Sequence, residues 1–223
     1  MIINVNKPSG MTSRDVVNIL CRVFDTKKVG HTGTLDPIAS GVLICCTHED
    51  TKMVELLTST DKEYEVEMKL GIKTDTGDIT GTVIEEKSKD VDEESIKGCI
   101  NNFIGSYLQE VPIYSAVKVN GKKLYEYARA NEEVKLPKRE VNIYSNLFLE
   151  KNNDLVKFRV LVSKGTYVRS LINDICQKLN TVGTMTNLIR TAQGPFKLED
   201  SNTLEDIEKG NFSTIDKKCV MKD

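Results

Sequence analysis

Residues 28–43 form the run KVGHTGTLDPIASGVL. It places one acid, Asp36, at the end of a turn rich in glycine and threonine, and then runs into Val42–Cys46 (VLICC), a short apolar run with the character of a core strand. Pro37 drives Asp36 away from helical backbone angles and toward an extended or turn conformation. Gly30, Gly33 and Gly41 permit positive φ and close backbone approach. The spacing therefore predicts a buried carboxylate on a constrained loop anchored by rigid structure, a frequent placement for a catalytic group and one suited to nucleophilic work. An ordinary Asp-Pro turn, with the side chain accepting local backbone hydrogen bonds, satisfies the same spacing. A phosphate-cradling P-loop does not, because its Gly-Lys-Ser/Thr ending is missing.

Outward from this loop, residues 2–5 read as a strand, and residues 14–24 as a helix opened by Thr12 or Ser13. A second helix is expected near residues 50–58. Residues 63–70 alternate as a strand with Tyr64, Val66, Met68 and Leu70 on one face. Residues 81–86 look like the partner of that strand, joined through the polar turn at residues 75–78. Residues 92–103 form an amphipathic helix with an acidic first turn. A strand over residues 115–119 ends in Asn120-Gly121, a turn signal, and a short helix over residues 124–130 follows. Residues 140–150 and 154–163 suggest a hairpin around Asn152-Asn153, and residues 166–179 a helix. The pattern is α+β, with a largely antiparallel mixed central sheet flanked by helices.

Composition narrows the class. At 223 residues one principal domain can bury a sizeable core. No apolar run approaches bilayer length and no basic leader precedes one, so a cytoplasmic chain with no membrane partner is expected. Cys21, Cys45, Cys46, Cys99, Cys176 and Cys219 form no CxxC pair, and His31 and His48 lie far from zinc-like spacing, which predicts reduced thiols and no metal. The net charge of −2 hides a segregation. Residues 116–139 carry Lys118, Lys122, Lys123, Arg129, Lys135, Lys138 and Arg139 against Glu126, Glu132 and Glu133, while residues 85–94 and 199–208 are strongly acidic. The basic stretch fits a phosphate-facing patch, although on composition alone a solvated face is the simpler reading; the acidic blocks read as solvated faces.

Several of these segments together resemble the TruB family of tRNA pseudouridine synthases. Residues 6–13 (NKPSGMTS) are similar to the family's opening segment, with Asn6 where an Asp is usual, and residues 28–43 to its catalytic motif, whose Asp aligns with Asp36. Residues 63–71 (EYEVEMKLG) resemble the motif that supplies an active-site tyrosine, here Tyr64, and residues 71–81 (GIKTDTGDITG) follow in the expected place. Residues 109–131 resemble the family's RNA-gripping insertion, set at about 112–139, although Val111 replaces a proline and Asn131 a glycine. Residues 164–171 (KGTYVRSL) fit the motif contributing an arginine, here Arg169; residues 188–196 (LIRTAQGPF) fit the last, with Ile189 where a second basic residue is usual. Only 27 residues follow Phe196. The expectation is a single pseudouridine synthase domain over residues 1–223, with a short tail from about residue 197 and no PUA domain.

The resemblance implies a pseudouridine synthase fold and an isomerase acting on a T-loop uridine of tRNA, the usual family target being uridine 55. It implies no cofactor, since nothing is oxidised and no group is imported. Asp36 would be the nucleophile, Arg169 the partner holding its charge, and Tyr64 the ring that stacks on the target base and assists proton loss. Tyr167 and Leu188 would wall the base pocket. Lys118, Lys122 and Lys123 would meet RNA, and His31 would brace the space vacated by the flipped base. A neutral His31 satisfying the turn, a Tyr64 filling the core and an Arg169 in a surface ion pair are the plainer alternatives. Lys7 and Pro8 would brace the catalytic loop. The tRNA T-arm is the expected partner of a monomer. The same chemistry on another structured RNA, or an RNA-binding or RNA-folding module with secondary catalysis, stays open. Asp75-Thr76-Gly77 matches the aspartic-protease tripeptide but lacks apolar strand context.

Overall fold

A computed structural model describes residues 1–219, which fall into two compact units: residues 1–64 with 188–219, and residues 65–187. Along the chain, Ile2–Lys7 forms β1 and Ser13–Val23 forms α1. Thr12 caps α1: its hydroxyl accepts from Asp15 N at 3.1 Å while the Asp15 carboxylate accepts from Thr12 N at 2.9 Å, a reciprocal box. β2 (Val29–His31) and β3 (Ser40–Thr47) bracket the glycine-rich loop. The single helix expected near residues 50–58 divides into a 3₁₀ turn at His48–Met53 and α2 at Val54–Thr58.

β4 (Lys62–Leu70) alternates as expected, with Tyr64, Val66, Met68 and Leu70 buried. Beyond it the expected pairing changes. Gly71 takes φ +89° and ends the strand's direction. The chain therefore starts a new strand, β5 (Ile72–Thr74), and β6 (Val83–Glu86) pairs with β5 in a separate two-stranded sheet rather than with β4. α3 (Glu93–Asn102) is capped by Asp92, which accepts from Ser95 N at 2.8 Å.

β7 (Gly105–Glu110) precedes a small hairpin of β8 (Lys118–Val119) and β9 (Lys122–Lys123). Asn120 and Gly121 take φ of +52° and +83°, the left-handed pair of a tight turn, but the strand expected over residues 115–119 shrinks to two residues. α4 (Leu124–Arg129) follows. β10 (Lys138–Asn152) and β11 (Leu155–Val162) form the expected hairpin, closed at Asn152↔Leu155, so its turn is Asn153-Asp154, one residue later than expected. α5 (Val168–Lys178), β12 (Gly183–Gln193), β13 (Phe196–Lys197) and α6 (Leu204–Glu208) follow, with 3₁₀ turns at Leu198–Asp200 and Lys217–Cys219. The expected tail runs to residue 223, and its last four residues lie outside the described ones.

In the first unit β1 and β2 each pair antiparallel with β3, and β12 joins β3 in parallel at Ile189↔Ser40 and Arg190↔Gly41. VLICC is buried on both faces. Leu43 and Cys45 pack with Ile3, Val5, Val16, Leu20 and Ile207, while Val42, Ile44 and Cys46 pack with Ile2, Leu57 and Phe196. Burying each such Leu or Ile contributes about 1.5–3 kcal/mol, so β3 is the rigid base of the loop that precedes it. In the second unit β4, β11, β10 and β7 are hydrogen-bonded neighbours in that order, β10 lying antiparallel between β11 and β7. The parallel β3/β12 step among antiparallel pairs makes the sheet mixed, and the fold α+β as the sequence predicts.

Candidate active site

The loop carrying Asp36 is held from beneath by two buried polar residues of β12. Arg190, 1 % exposed, donates from Nε to Val42 O at 2.6 Å and from Nη2 to Gly33 O at 3.1 Å. Gln193 donates through Nε2 to Thr32 Oγ1 at 2.7 Å and to Leu57 O at 2.9 Å. Gly41 makes this approach feasible: it takes φ +102°, and a Cβ there would lie 2.3 Å from Arg190 O.

From the other side residues 9–13 reach over the loop. Gly10 N donates to Pro37 O at 2.8 Å, Ser9 Oγ to Ile38 O at 2.8 Å, and Ser13 Oγ accepts from Leu35 N at 2.9 Å while donating to Leu35 O at 3.2 Å. Ala39 N donates to Asp36 O at 3.0 Å and closes the Asp-Pro turn. Asp36 itself is half-buried rather than buried as expected, because Pro37 beside it is exposed and the loop crest faces outward.

Lys7, at the end of β1, is 0 % exposed and donates from Nζ to Pro8 O at 2.8 Å and Met11 O at 2.6 Å. Burial pushes its ammonium down to about 8, against the opposing pull of the Asp36 carboxylate and with help from the Arg190 charge. Lys7 thus braces the segment that grips the loop, and it adds positive potential near Asp36.

His31 sits at the loop's entrance, where its Nδ1 accepts from Gly33 N at 3.3 Å. Burial holds its pKa below the ordinary 6.5, with the charges of Arg190 and Arg14 adding to the effect. An Nδ1 acceptor on a ring with a lowered pKa is a neutral imidazole protonated on Nε2. The ring satisfies the turn in this way. Tyr64 and Leu188 are buried in the same unit, at 7 % and 5 % exposure.

The second unit holds the other expected residues. Arg169, in the first turn of α5, is 8 % exposed and donates from Nη1 to Thr76 O at 2.9 Å and from Nη2 to Tyr114 O at 3.0 Å. Gly77 lies against its stem, where a Cβ would sit 3.3 Å from Arg169 Cβ. The Asp75-Thr76-Gly77 turn is thus a collar for Arg169 and not half of an acid dyad. Its acids serve the turn: Asp75 accepts from Thr82 N at 2.8 Å, and Asp78 accepts from Thr80 N at 3.0 Å and Thr80 Oγ1 at 2.5 Å. Tyr167, half-buried, caps α5 and donates its N–H to Gln109 Oε1 at 2.8 Å.

In the basic stretch Lys118 is exposed. Lys122 pairs with Glu132 at 2.7 Å and lies 4.7 Å from the centre of the Tyr127 ring, and Lys123 and Arg129 flank Tyr125 at 5.4 and 5.2 Å. Part of the positive charge is therefore already answered within the insertion. Arg190, Gln193 and Gln109 were not singled out in the sequence reading, although each lies in a segment that resembles a family motif. Among the described residues no cluster of His, Cys, Asp and Glu has the form of a metal site, and no helix is long and apolar enough to cross a membrane.

Comparison with known proteins fits these features. The model of the TruB family pseudouridylate synthase N-terminal domain matches residues 21–168, and that of the tRNA pseudouridylate synthase B C-terminal domain matches residues 169–218. The tRNA pseudouridine synthase B of Clostridium tetani is 47% identical over 212 residues, covering 95% of this chain and 73% of the relative. That of Mesoplasma florum is 44% identical over 213 residues, covering 95% and 74%. Among solved structures, a chain of a Cbf5-Nop10-Gar1 complex superposes with a TM-score of 0.74 at 34% identity, covering 93% of this chain and 53% of that one. A chain of an H/ACA RNP bound to a substrate RNA containing 2′-deoxyuridine gives 0.69 at 32%, covering 93% and 52%, so this chain spans about half the length of those two. With a family model matched over residues 21–168 and nearly half its residues identical to such relatives, the chain belongs to the TruB family of pseudouridylate synthases.

Proposed function

We propose that this protein converts a uridine of tRNA to pseudouridine, with the T-loop uridine at position 55 as its target and the T-arm as the part it holds. The observation that carries the reading is Asp36, the acid of the segment that resembles the family's catalytic motif, on a loop pinned at both ends by Arg190. The reaction breaks the bond from uracil N1 to ribose C1′, turns the base, and joins C5 to the same carbon; the proton leaving C5 is balanced by one gained at N1. No electron is gained or lost. A carboxylate that attacks the anomeric carbon or the base is the sole nucleophile required, as in retaining glycosidases, and one carboxylate suffices because the base never departs.

Asp36 takes that role. Tyr64 stacks on the target base and assists loss of the C5 proton, and Arg169, held by the carbonyls of Thr76 and Tyr114, supplies a fixed cation. Leu188 and Tyr167 offer apolar surface to the base, His31 a neutral donor Nε2–H, and Lys118, Lys122 and Lys123 contact phosphate. Extruding a stacked uridine costs a few kcal/mol, supplied by RNA contacts. The enzyme acts as a monomer in the cytoplasm, where its substrate is. Incubation with an unmodified tRNA transcript, followed by carbodiimide mapping of pseudouridine, tests the reading. One new pseudouridine in the T loop is expected; none in tRNA, with modification of another structured RNA, would move the substrate and leave the chemistry.

A further inference from the structure

Ser13 holds a position unlike the other residues that touch the Asp36 loop. It is the first residue of α1 and is 2 % exposed. A serine hydroxyl at a helix start is ordinarily spent on capping, but here Thr12 and Asp15 satisfy each other in a complete capping box, which leaves Ser13 Oγ for another partner. That partner is Leu35, the residue before Asp36. The hydroxyl accepts from Leu35 N at 2.9 Å and donates to Leu35 O at 3.2 Å, so it satisfies both backbone polar groups of one residue. Leu35 O belongs to the peptide plane that carries Asp36 N. Fixing that oxygen fixes the plane from which the Asp36 side chain departs.

The hydroxyl is also anchored. α1 packs Val16 and Leu20 into the same core as Leu43 and Cys45 of β3, so both the helix that presents Ser13 and the strand that follows the loop belong to one packed body. Ser9 Oγ and Gly10 N hold the far flank through Ile38 O and Pro37 O, but Ser9 is exposed and each makes one bond only. Arg190 and Gln193 hold the near flank at Gly33 and Thr32, two and three residues before Leu35, whereas Ser13 grips the residue next to Asp36 from a buried position on a rigid element.

We propose that Ser13 is a positioning residue for the nucleophile: its two-way hydrogen bond with Leu35 sets the peptide plane of Asp36 so that the carboxylate meets its target carbon at reacting distance. The proposal rests on the assignment of Asp36 as nucleophile. A carboxylate displaced by about 1 Å forfeits on the order of a hundredfold in rate, while the surfaces that bind RNA are untouched. The loss therefore falls on kcat and not on KM or tRNA affinity, which separates positioning from a general weakening of the fold.

The test uses the full chain and an unmodified tRNA transcript carrying tritium at uracil C5. Wild type, Ser13→Ala, Ser13→Cys and Asp36→Asn are compared for kcat, KM, tRNA affinity by filter binding, and melting temperature. Ser13→Ala is expected to lower kcat about tenfold to a hundredfold at an assay temperature well below its melting, with KM and affinity within about twofold of wild type. Ser13→Cys, which keeps the volume and has a weak S–H donor, is expected to fall between. Wild-type kcat in Ser13→Ala, whatever its melting temperature, overturns the proposal; if Ser13→Ala does not fold, wild-type kcat in Ser13→Cys does the same. Turnover by Asp36→Asn removes the nucleophile and the proposal together, whereas an inactive Asp36→Asn beside a fully active Ser13→Ala removes the proposal alone.

Discussion

One Arg190 guanidinium joins Gly33, at the start of the Asp36 loop, to Val42, just beyond its end: Nη2 donates to Gly33 O at 3.1 Å and Nε to Val42 O at 2.6 Å. A buried planar fork can do this and a lysine cannot, because a single ammonium lacks two donors set apart in one plane. Arg190→Met takes this donor from one buried and one half-buried carbonyl and is expected to cost about 2–4 kcal/mol. Arg190→Lys recovers little of it. Urea denaturation of both variants reads the loss directly; a shift below about 1 kcal/mol in Arg190→Met would show that the clasp is dispensable.

Gly41 and Gly10 supply a matched pair. Both take positive φ, +102° and +87°, but a Cβ at Gly41 would meet Arg190 O at 2.3 Å whereas one at Gly10 meets nothing within 4 Å. Gly10→Ala is expected to cost about 1 kcal/mol, the strain of the backbone region alone. Gly41→Ala should cost about 3 kcal/mol or more, since the β3/β12 pairing must open. Equal melting temperatures for the two variants would contradict the close approach.

The neutral state of His31 has a pH signature. Its folded pKa lies below the ordinary 6.5, through burial first and the Arg190 and Arg14 charges next. The unfolded chain therefore binds the proton more readily, so His31 contributes stability above pH 6.5 that is lost as pH falls through 6.5 and then through the folded value. His31→Gln should flatten this part of the stability profile. An NMR titration of the ring is expected to show a midpoint below 6.5, and one above it would refute a neutral His31.

Lys118 and Lys122 should differ as RNA contacts although the sequence presents them alike. Lys118 is exposed, while Lys122 is already paired with Glu132 at 2.7 Å. Lys118→Ala is expected to reduce the slope of log affinity for tRNA against log salt by about 0.7–0.9, and Lys122→Ala by less. The salt dependence of filter binding measures both.

Much of the fold was legible because its elements follow local rules. The Thr12 cap, the β4 alternation, the apolar β3 and the β10/β11 hairpin each declare themselves within a few residues. β12 does not, because it turns Thr184, Arg190 and Gln193 inward, and buried polar residues erase the period-2 pattern that marks a strand. β6 pairs with β5 and not with β4 because one left-handed glycine, Gly71, redirects the chain, and a sequence does not reveal whether a glycine will use its freedom. In the site, the Gly-Pro context alone left Asp36 level with an ordinary turn until the family resemblance singled it out, and Lys7 was expected as a brace, but Ser13 and Arg190 were not. Ser13 and Arg190 act through backbone carbonyls, and backbone partners have no sequence of their own to match.

Asp36 as the nucleophile of uridine isomerisation is open to a single measurement, tritium release from tRNA labelled at uracil C5. The account predicts stoichiometric release by the wild type from the T-loop uridine and none by Asp36→Asn, with tRNA binding by the two proteins equal within about twofold, since a lone carboxylate contributes little to holding RNA phosphates. Release by Asp36→Asn at a rate near that of the wild type would contradict it.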